Sequence, residues 1–398
     1  MNKFAELRTP PSITYGPDSF KKVGDKAAQR GKNALIISDK VMEKLGNVNQ
    51  CMGFLDDCQV KSAVYLGVET EPTDQYVLEA LKMVTENGCD LIISLGGGSC
   101  IDTAKAVSVL ASNGGNIDEF VGGKREAKQP PLPHIAIPTT AGTGSEATDV
   151  TVITNTSSQV KMMIKQKAFM PNAAIVDPEL SKSSPKHVTA ATGIDALSHA
   201  IEAFLSKKSH PMTDMLALSA MKLIANHIRD AYKDGSNMEA REKMALGSLQ
   251  AGMAFSNASV CLVHGMSRPI GALFHVPHGF SNAMLLPAIL EFSKDSCVER
   301  LADLGRIFMP DRNVTNEEAA NIAVDSVKEL CTDLEIPNLK GWGLDEKEFT
   351  LSVEKMARDA IESGSPANNP KVPTLRELKD LYLTCYDYHF SRRRATTK

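Results

Sequence analysis

Four short, uninterrupted apolar runs constrain this chain most. Asn33-Ala-Leu-Ile-Ile-Ser38, Asp90-Leu-Ile-Ile-Ser-Leu95, His134-Ile-Ala-Ile-Pro138 and Ala173-Ala-Ile-Val-Asp177 are apolar on consecutive residues, not on alternate ones. A strand reads this way when both of its faces are hidden, so the runs predict a parallel sheet with helices on each side. Between the first two runs, Val77, Leu81 and Val84 recur at helical spacing and predict a helix from Asp74 to Asn87. Val150-Thr-Val-Ile-Thr154, ahead of Asn155-Thr-Ser-Ser158, predicts one half of a hairpin.

After Ser184-Pro185 the texture changes to helical periodicity throughout, with loops expected at Ser206 to Pro211 and Gly364 to Pro370. A chain of 398 residues suits two domains. The expectation is an α/β N-terminal dinucleotide-binding domain over 1–185, with a Rossmann-like parallel sheet, and an all-α domain over 186–398. A net charge of -4 offers no footprint for nucleic acid. The basic tail Ser391-Arg392-Arg393-Arg394 reads as a solvated terminus. Neither a secretory h-region nor a membrane-spanning apolar run is present in the sequence, and the eight cysteines show no CxxC spacing. A reduced, cytoplasmic chain is therefore expected.

Two polar loops point to a nucleotide. In Ser94-Leu-Gly-Gly-Gly-Ser-Cys-Ile-Asp-Thr-Ala-Lys105 a strand runs into a helix through Gly96, Gly97 and Gly98. Glycines let backbone N–H groups approach a pyrophosphate, and Ser99 and Asp102 lie at the start of that helix. The pattern is not GxGxxG. Pro138-Thr-Thr-Ala-Gly-Thr-Gly-Ser-Glu146 likewise follows a strand and offers the hydroxyls of Thr139, Thr140, Thr143 and Ser145. Asp39, directly after the first strand, can accept from both ribose hydroxyls of NAD and would repel the 2′-phosphate of NADP. It reads equally well as a helix cap.

The helical half carries the stronger signal. Gly193-Ile-Asp195-Ala-Leu-Ser-His199-Ala-Ile-Glu202 stacks Asp195 and His199 on one helix face. Leu262-Val-His264-Gly-Met and Phe274-His275-Val-Pro-His278-Gly-Phe add imidazoles in apolar, glycine-flanked stretches. Three histidines and a carboxylate suit a divalent borderline metal, Fe²⁺ or Zn²⁺, better than Mg²⁺ or Ca²⁺. Spacing leaves His275 and His278 in competition for one place. Glu202 lies one turn beyond His199 on the same face; it could support a metal ligand from behind, and a surface or ion-paired glutamate is the preferred reading.

Taken together, Gly96-Gly-Gly-Ser-xx-Asp-xx-Lys105, Pro138-Thr-Thr-xx-Thr-Gly-Ser-Glu146, Gly193-x-Asp-Ala-Leu-xx-Ala-Ile-Glu202, His264-Gly-Met and Pro277-His-Gly279 resemble the iron-containing (group III) alcohol dehydrogenases over nearly the whole chain. The resemblance implies a dehydroquinate synthase-like architecture whose C-terminal domain binds metal through Asp195, His199, His264 and His278. It implies NAD(H) in an interdomain cleft, held by Gly97, Gly98, Ser99, Thr139, Thr140 and Thr143. Lys161 would lie near the nicotinamide ribose and Phe255 at the nicotinamide end. The implied metal is Fe²⁺ first and Zn²⁺ second, the implied substrate a small alcohol or aldehyde, and the implied assembly a homodimer or larger.

One position departs from the family pattern. Many members carry a second histidine one turn after the third ligand, where this chain has Arg268 in His264-Gly-Met-Ser-Arg268-Pro269. A guanidinium stays protonated and cannot relay a proton as a neutral base. Arg268 is expected either to bind an anionic group on substrate or cofactor, or to pair with a carboxylate at a domain interface. Other readings of the whole chain are a glycerol dehydrogenase-like enzyme, a dehydroquinate synthase-like enzyme, and a nucleotide- and metal-binding protein without turnover.

Overall fold

The apolar runs form strands in a computed structural model that describes residues 4–158 and 160–390. The unit Arg8–Ser183 contains, in chain order, β1 (Ile13–Tyr15), α1 (Val23–Ala28), β2 (Asn33–Ile37), α2 (Lys40–Lys44), α3 (Asn47–Asp57), β3 (Lys61–Tyr65), α4 (Asp74–Asn87), β4 (Leu91–Gly96), α5 (Gly98–Asn113), β5 (His134–Pro138), β6 (Val150–Asn155), β7 (Val160–Lys165) and β8 (Ala173–Val176). Six strands make one parallel sheet in the order β1-β8-β5-β4-β2-β3. β6 and β7 pair as an antiparallel hairpin, Val150 opposite Lys165 and Asn155 opposite Val160.

The continuous apolar character of the strands has the expected cause. Leu35, Ile37 and Ile92 face a core shared with Val77 of α4 and Ala104 and Val107 of α5. Their neighbours Ala34, Ile36, Leu91 and Ile93 face the opposite core, with Val23 of α1 and Val48, Cys51 and Leu55 of α3. Successive side chains of a strand point to opposite faces, so a sheet covered twice needs apolar residues at every step. Two strands, β1 and β3, lie outside the expected set. β1 has three residues, and β3 begins with the exposed Lys61 at the sheet edge.

The second unit comprises the described chain from Ser184 on, with the stretch before Arg8. It is helical: α6 (Lys186–Leu205), α7 (Pro211–Lys233), α8 (Met238–Ala258), α9 (Leu262–Phe274), α10 (His278–Ser293), α11 (Val298–Phe308), α12 (Asn316–Asp333), α13 (Leu339–Trp342), α14 (Glu346–Glu362) and α15 (Leu375–Tyr386). α6 is buried on nearly all sides from Thr189 onward, the state of a helix at the centre of a bundle. His275 ends α9 in the left-handed conformation, with φ 54°, and the chain turns there into α10. The expected loop at Gly364 to Pro370 contains a short 3-10 turn, Ser365–Asn368. The basic tail Ser391-Arg392-Arg393-Arg394 lies outside the described residues.

Candidate metal centre and nucleotide site

α6 supplies Asp195 and His199 from successive turns, the first turn of α9 supplies His264, and α10 opens on His278. One donor atom from each of the four lies within 4.8 Å of all the others. Asp195 Oδ1 is 3.5 Å from His264 Nε2, 3.8 Å from His278 Nε2 and 3.9 Å from His199 Nδ1. Asp195, His199 and His264 are buried, whereas the His278 side chain is 35% exposed. His275 is exposed and stands outside this group. Burial pushes the Asp195 carboxyl up, but His199, His278 and His264 more than reverse this and hold it below the ordinary carboxylate range.

The three imidazoles adjoin one after another, tilted to one another by 30° and 55°. His199 lies 4.2 Å from His264 between centroids, and His264 lies 5.3 Å from His278. Phe255 of α8 covers His199 at 4.2 Å with planes 15° apart. Arg268, one turn after His264, donates from Nη1 to Ser365 Oγ at 2.9 Å. Burial lowers the pKa of its guanidinium, and the Glu202 charge opposes that shift.

The donor set fits a divalent cation. Asn282 of α10 is fully buried, and its Nδ2 lies 2.6 Å from Asp195 Oδ1, 3.0 Å from His264 Nε2 and 3.1 Å from His278 Nε2. An amide has two N–H groups for those three acceptors, so the site holds more lone pairs than its own donor can satisfy. The amide's Oδ1 is also buried, with no partner among the described residues. Three nitrogens and a carboxylate oxygen converging in a buried pocket suit Fe²⁺ or Zn²⁺.

Of the readings the sequence offers for Glu202, the surface one fails, and the residue pairs instead with a candidate ligand, His264. It is buried and accepts from His264 Nδ1 at 2.5 Å and from Val263 N at 2.6 Å. The signal was present: Asp195, His199 and Glu202 share one helix stripe. Asn282 lies one turn after His278 on the same helix face, a spacing that also marks it in the sequence.

In the other unit, the loops after β2, β4 and β5 meet beyond the C-terminal ends of those strands, where open α/β sheets place their ligands. Gly97 caps α5. A Cβ on Gly98 would fall 2.8 Å from Thr143 Cγ2, so only glycine permits this approach. A Cβ on Gly97 would find Thr140 no nearer than 3.7 Å, and one on Gly96 would strike Cys100 Sγ at 2.5 Å. Thr139 N donates to Gly96 O at 3.1 Å, and Ser99 O accepts from Thr103 Oγ1. Asp39 caps α2, its Oδ1 accepting from Val41 N at 2.8 Å and Met42 N at 2.9 Å. Its Oδ2 accepts from the Cys100 thiol at 3.7 Å.

Asp102 and Ser145 are joined behind those loops. Ser145 Oγ donates to Asp102 Oδ1 at 2.5 Å, and Val152 N to Asp102 Oδ2 at 2.8 Å. Buried Lys105 donates to Ser145 Oγ and Thr148 Oγ1, each at 2.8 Å, and to Val150 O at 2.6 Å. Burial lowers the Lys105 pKa to about 8, against the raising charges of Asp102, Glu146 and Asp149. Burial pushes Glu146 up to about 7. Lys161, on β7, is ion-paired with Glu71.

Comparison with known proteins identifies the family. The profile of the iron-containing alcohol dehydrogenases matches residues 10–178, and that of the C-terminal part of the Fe-containing alcohol dehydrogenase family matches 189–386. The chain belongs to the iron-containing alcohol dehydrogenase family. It is 36% identical over 380 residues to a 1,3-propanediol dehydrogenase of Citrobacter freundii, covering 94% of this chain and 96% of that one. The crystal structure of a 1,3-propanediol oxidoreductase superposes with a TM-score of 0.92 at 34% identity, covering 96% of this chain and 100% of that one. A sulfoacetaldehyde reductase of Bifidobacterium kashiwanohense, solved in complex with NAD⁺, gives 0.87 at 29%, covering 97% and 100%. The chain is thus an alcohol/aldehyde oxidoreductase, and membership implies a metal and NAD(H).

Proposed function

We propose that this enzyme interconverts a small primary alcohol, diol or hydroxy acid and its aldehyde, at a divalent metal held by Asp195, His199, His264 and His278. The convergence of those four donors carries the reading. Fe²⁺ is the first choice and Zn²⁺ the second, because imidazole and carboxylate suit both. When bound, the metal supplies Lewis acidity at the substrate oxygen and the nicotinamide carries the hydride.

The chain's own groups bind and orient. Gly96, Gly97, Gly98 and Ser99 cradle the pyrophosphate, with Thr139, Thr140 and Thr143 beside it. Asp102 and Ser145 support that turn from behind through Lys105. Asp39 favours NAD over NADP, Lys161 serves the nicotinamide ribose, and Phe255 walls the ring side of His199. Arg268 cannot take up the reaction proton, and its guanidinium favours substrates with an anionic group; the sulfoacetaldehyde reductase acts on such an aldehyde. A cytoplasmic homodimer or larger assembly is the working form.

The test reloads metal-stripped enzyme with Fe²⁺ or Zn²⁺ and follows reduced-nicotinamide absorbance with short alcohols and diols. NAD-dependent turnover that His264→Ala abolishes is expected. Intact NAD binding without turnover under any metal overturns the reading.

A further inference from the structure

α6 carries a third polar side chain on the stripe that bears Asp195 and His199. Asp195, His199 and Glu202 follow one another on a single buried stripe. The Glu202 side chain uses both oxygens: Oε1 accepts from Val263 N and Oε2 from His264 Nδ1. The backbone bond fixes the carboxylate against the first turn of α9, the same turn that presents His264. An imidazole that donates from Nδ1 is left with its lone pair on Nε2, and here Nε2 is the atom 3.5 Å from Asp195 Oδ1.

We propose that Glu202 is the positioning residue of the metal centre: it holds His264 in the Nδ1–H tautomer, fixes the ring, and makes Nε2 the ligand atom. The inference rests on the four-ligand reading above. A carboxylate behind a ligating imidazole raises its basicity and limits its rotation, and loss of such a partner costs metal affinity.

The test measures Zn²⁺ affinity of the metal-stripped enzyme by chelator competition. Glu202→Gln keeps the shape and removes the charge, and it is expected to weaken Zn²⁺ binding by about 10–100-fold. His264→Ala serves as the reference. If His264→Ala leaves affinity unchanged, the metal reading itself fails. If His264→Ala abolishes binding while Glu202→Gln matches wild type, the positioning role is overturned. A measurement on wild type guards against a variant that does not fold: histidine ¹⁵N shifts of the Zn²⁺-loaded enzyme are expected to show His264 with its proton on Nδ1 and metal on Nε2, and metal on Nδ1 overturns the proposal.

Discussion

Asn282 Nδ2 donates to Asp195 Oδ1 across 2.6 Å, joining the second turn of α10 to the middle of α6. Both residues are buried. The amide therefore steadies a charge that the bundle has taken out of water, and it reaches two ligand imidazoles at the same time.

Asn282→Leu removes that donor. A hydrogen bond to a charged group contributes about 1.5–3 kcal/mol, and the metal-stripped enzyme is expected to lose roughly that much. Added metal neutralises Asp195 directly, so the deficit is expected to narrow on reloading. Thermal unfolding with and without Zn²⁺ checks this; equal deficits in the two states count against it.

Gly97 and Gly98 separate folding from cofactor binding. Gly97→Ala meets only ordinary contacts with Thr140, so its Tm is expected to match wild type while NAD binding weakens. Gly98→Ala collides with Thr143 and is expected to lower both. Calorimetric NAD affinity and Tm, measured on each variant, decide the matter. Unchanged NAD affinity in Gly97→Ala removes the pyrophosphate cradle from that turn.

Asp39 caps α2 and is proposed to read the ribose. Asparagine caps a helix about as well as aspartate, whereas alanine costs about 1 kcal/mol. Asp39→Asn is therefore expected to keep stability and lower the preference for NADH over NADPH, and Asp39→Ala to lower both. A wild type that already prefers NADPH contradicts the assignment.

His134 predicts a loss of stability in acid. It is buried with Nε2 at 2.8 Å from Ser94 Oγ, and burial, followed by the charge of Lys105, lowers its pKa to about 3. Below the ordinary value of 6.5 the unfolded chain takes a proton that the folded one refuses, so stability falls as pH falls toward 3, by up to about 1.4 kcal/mol per pH unit. Glu146, raised to about 7, works the other way between its ordinary 4.5 and 7. The net loss is expected to be steepest below 4.5, and His134→Met is expected to flatten it in Tm measured against pH.

Much of the fold was legible because the strands β2, β4, β5 and β8 bury both faces and α4 buries one, which leaves a periodic record. β1 and β3 left none: three residues are too few for a pattern, and an edge strand that starts on Lys61 needs no apolar face. In the site, Asp195 and His199 were legible from helix spacing. The choice between His275 and His278 was not, because it turns on the left-handed residue between two helices. Glu202 was left between a surface, an ion-paired and a supporting role, because burial of a carboxylate depends on a partner 62 residues away, His264.

His278 differs from its three companions in being partly open to solvent and in standing at the very start of α10. The first turn of a helix frays far more readily than a bundle core opens. With an ion held as proposed, its exchange is expected to follow breathing of that one turn, so that metal identity could follow supply without unfolding the three donors behind it.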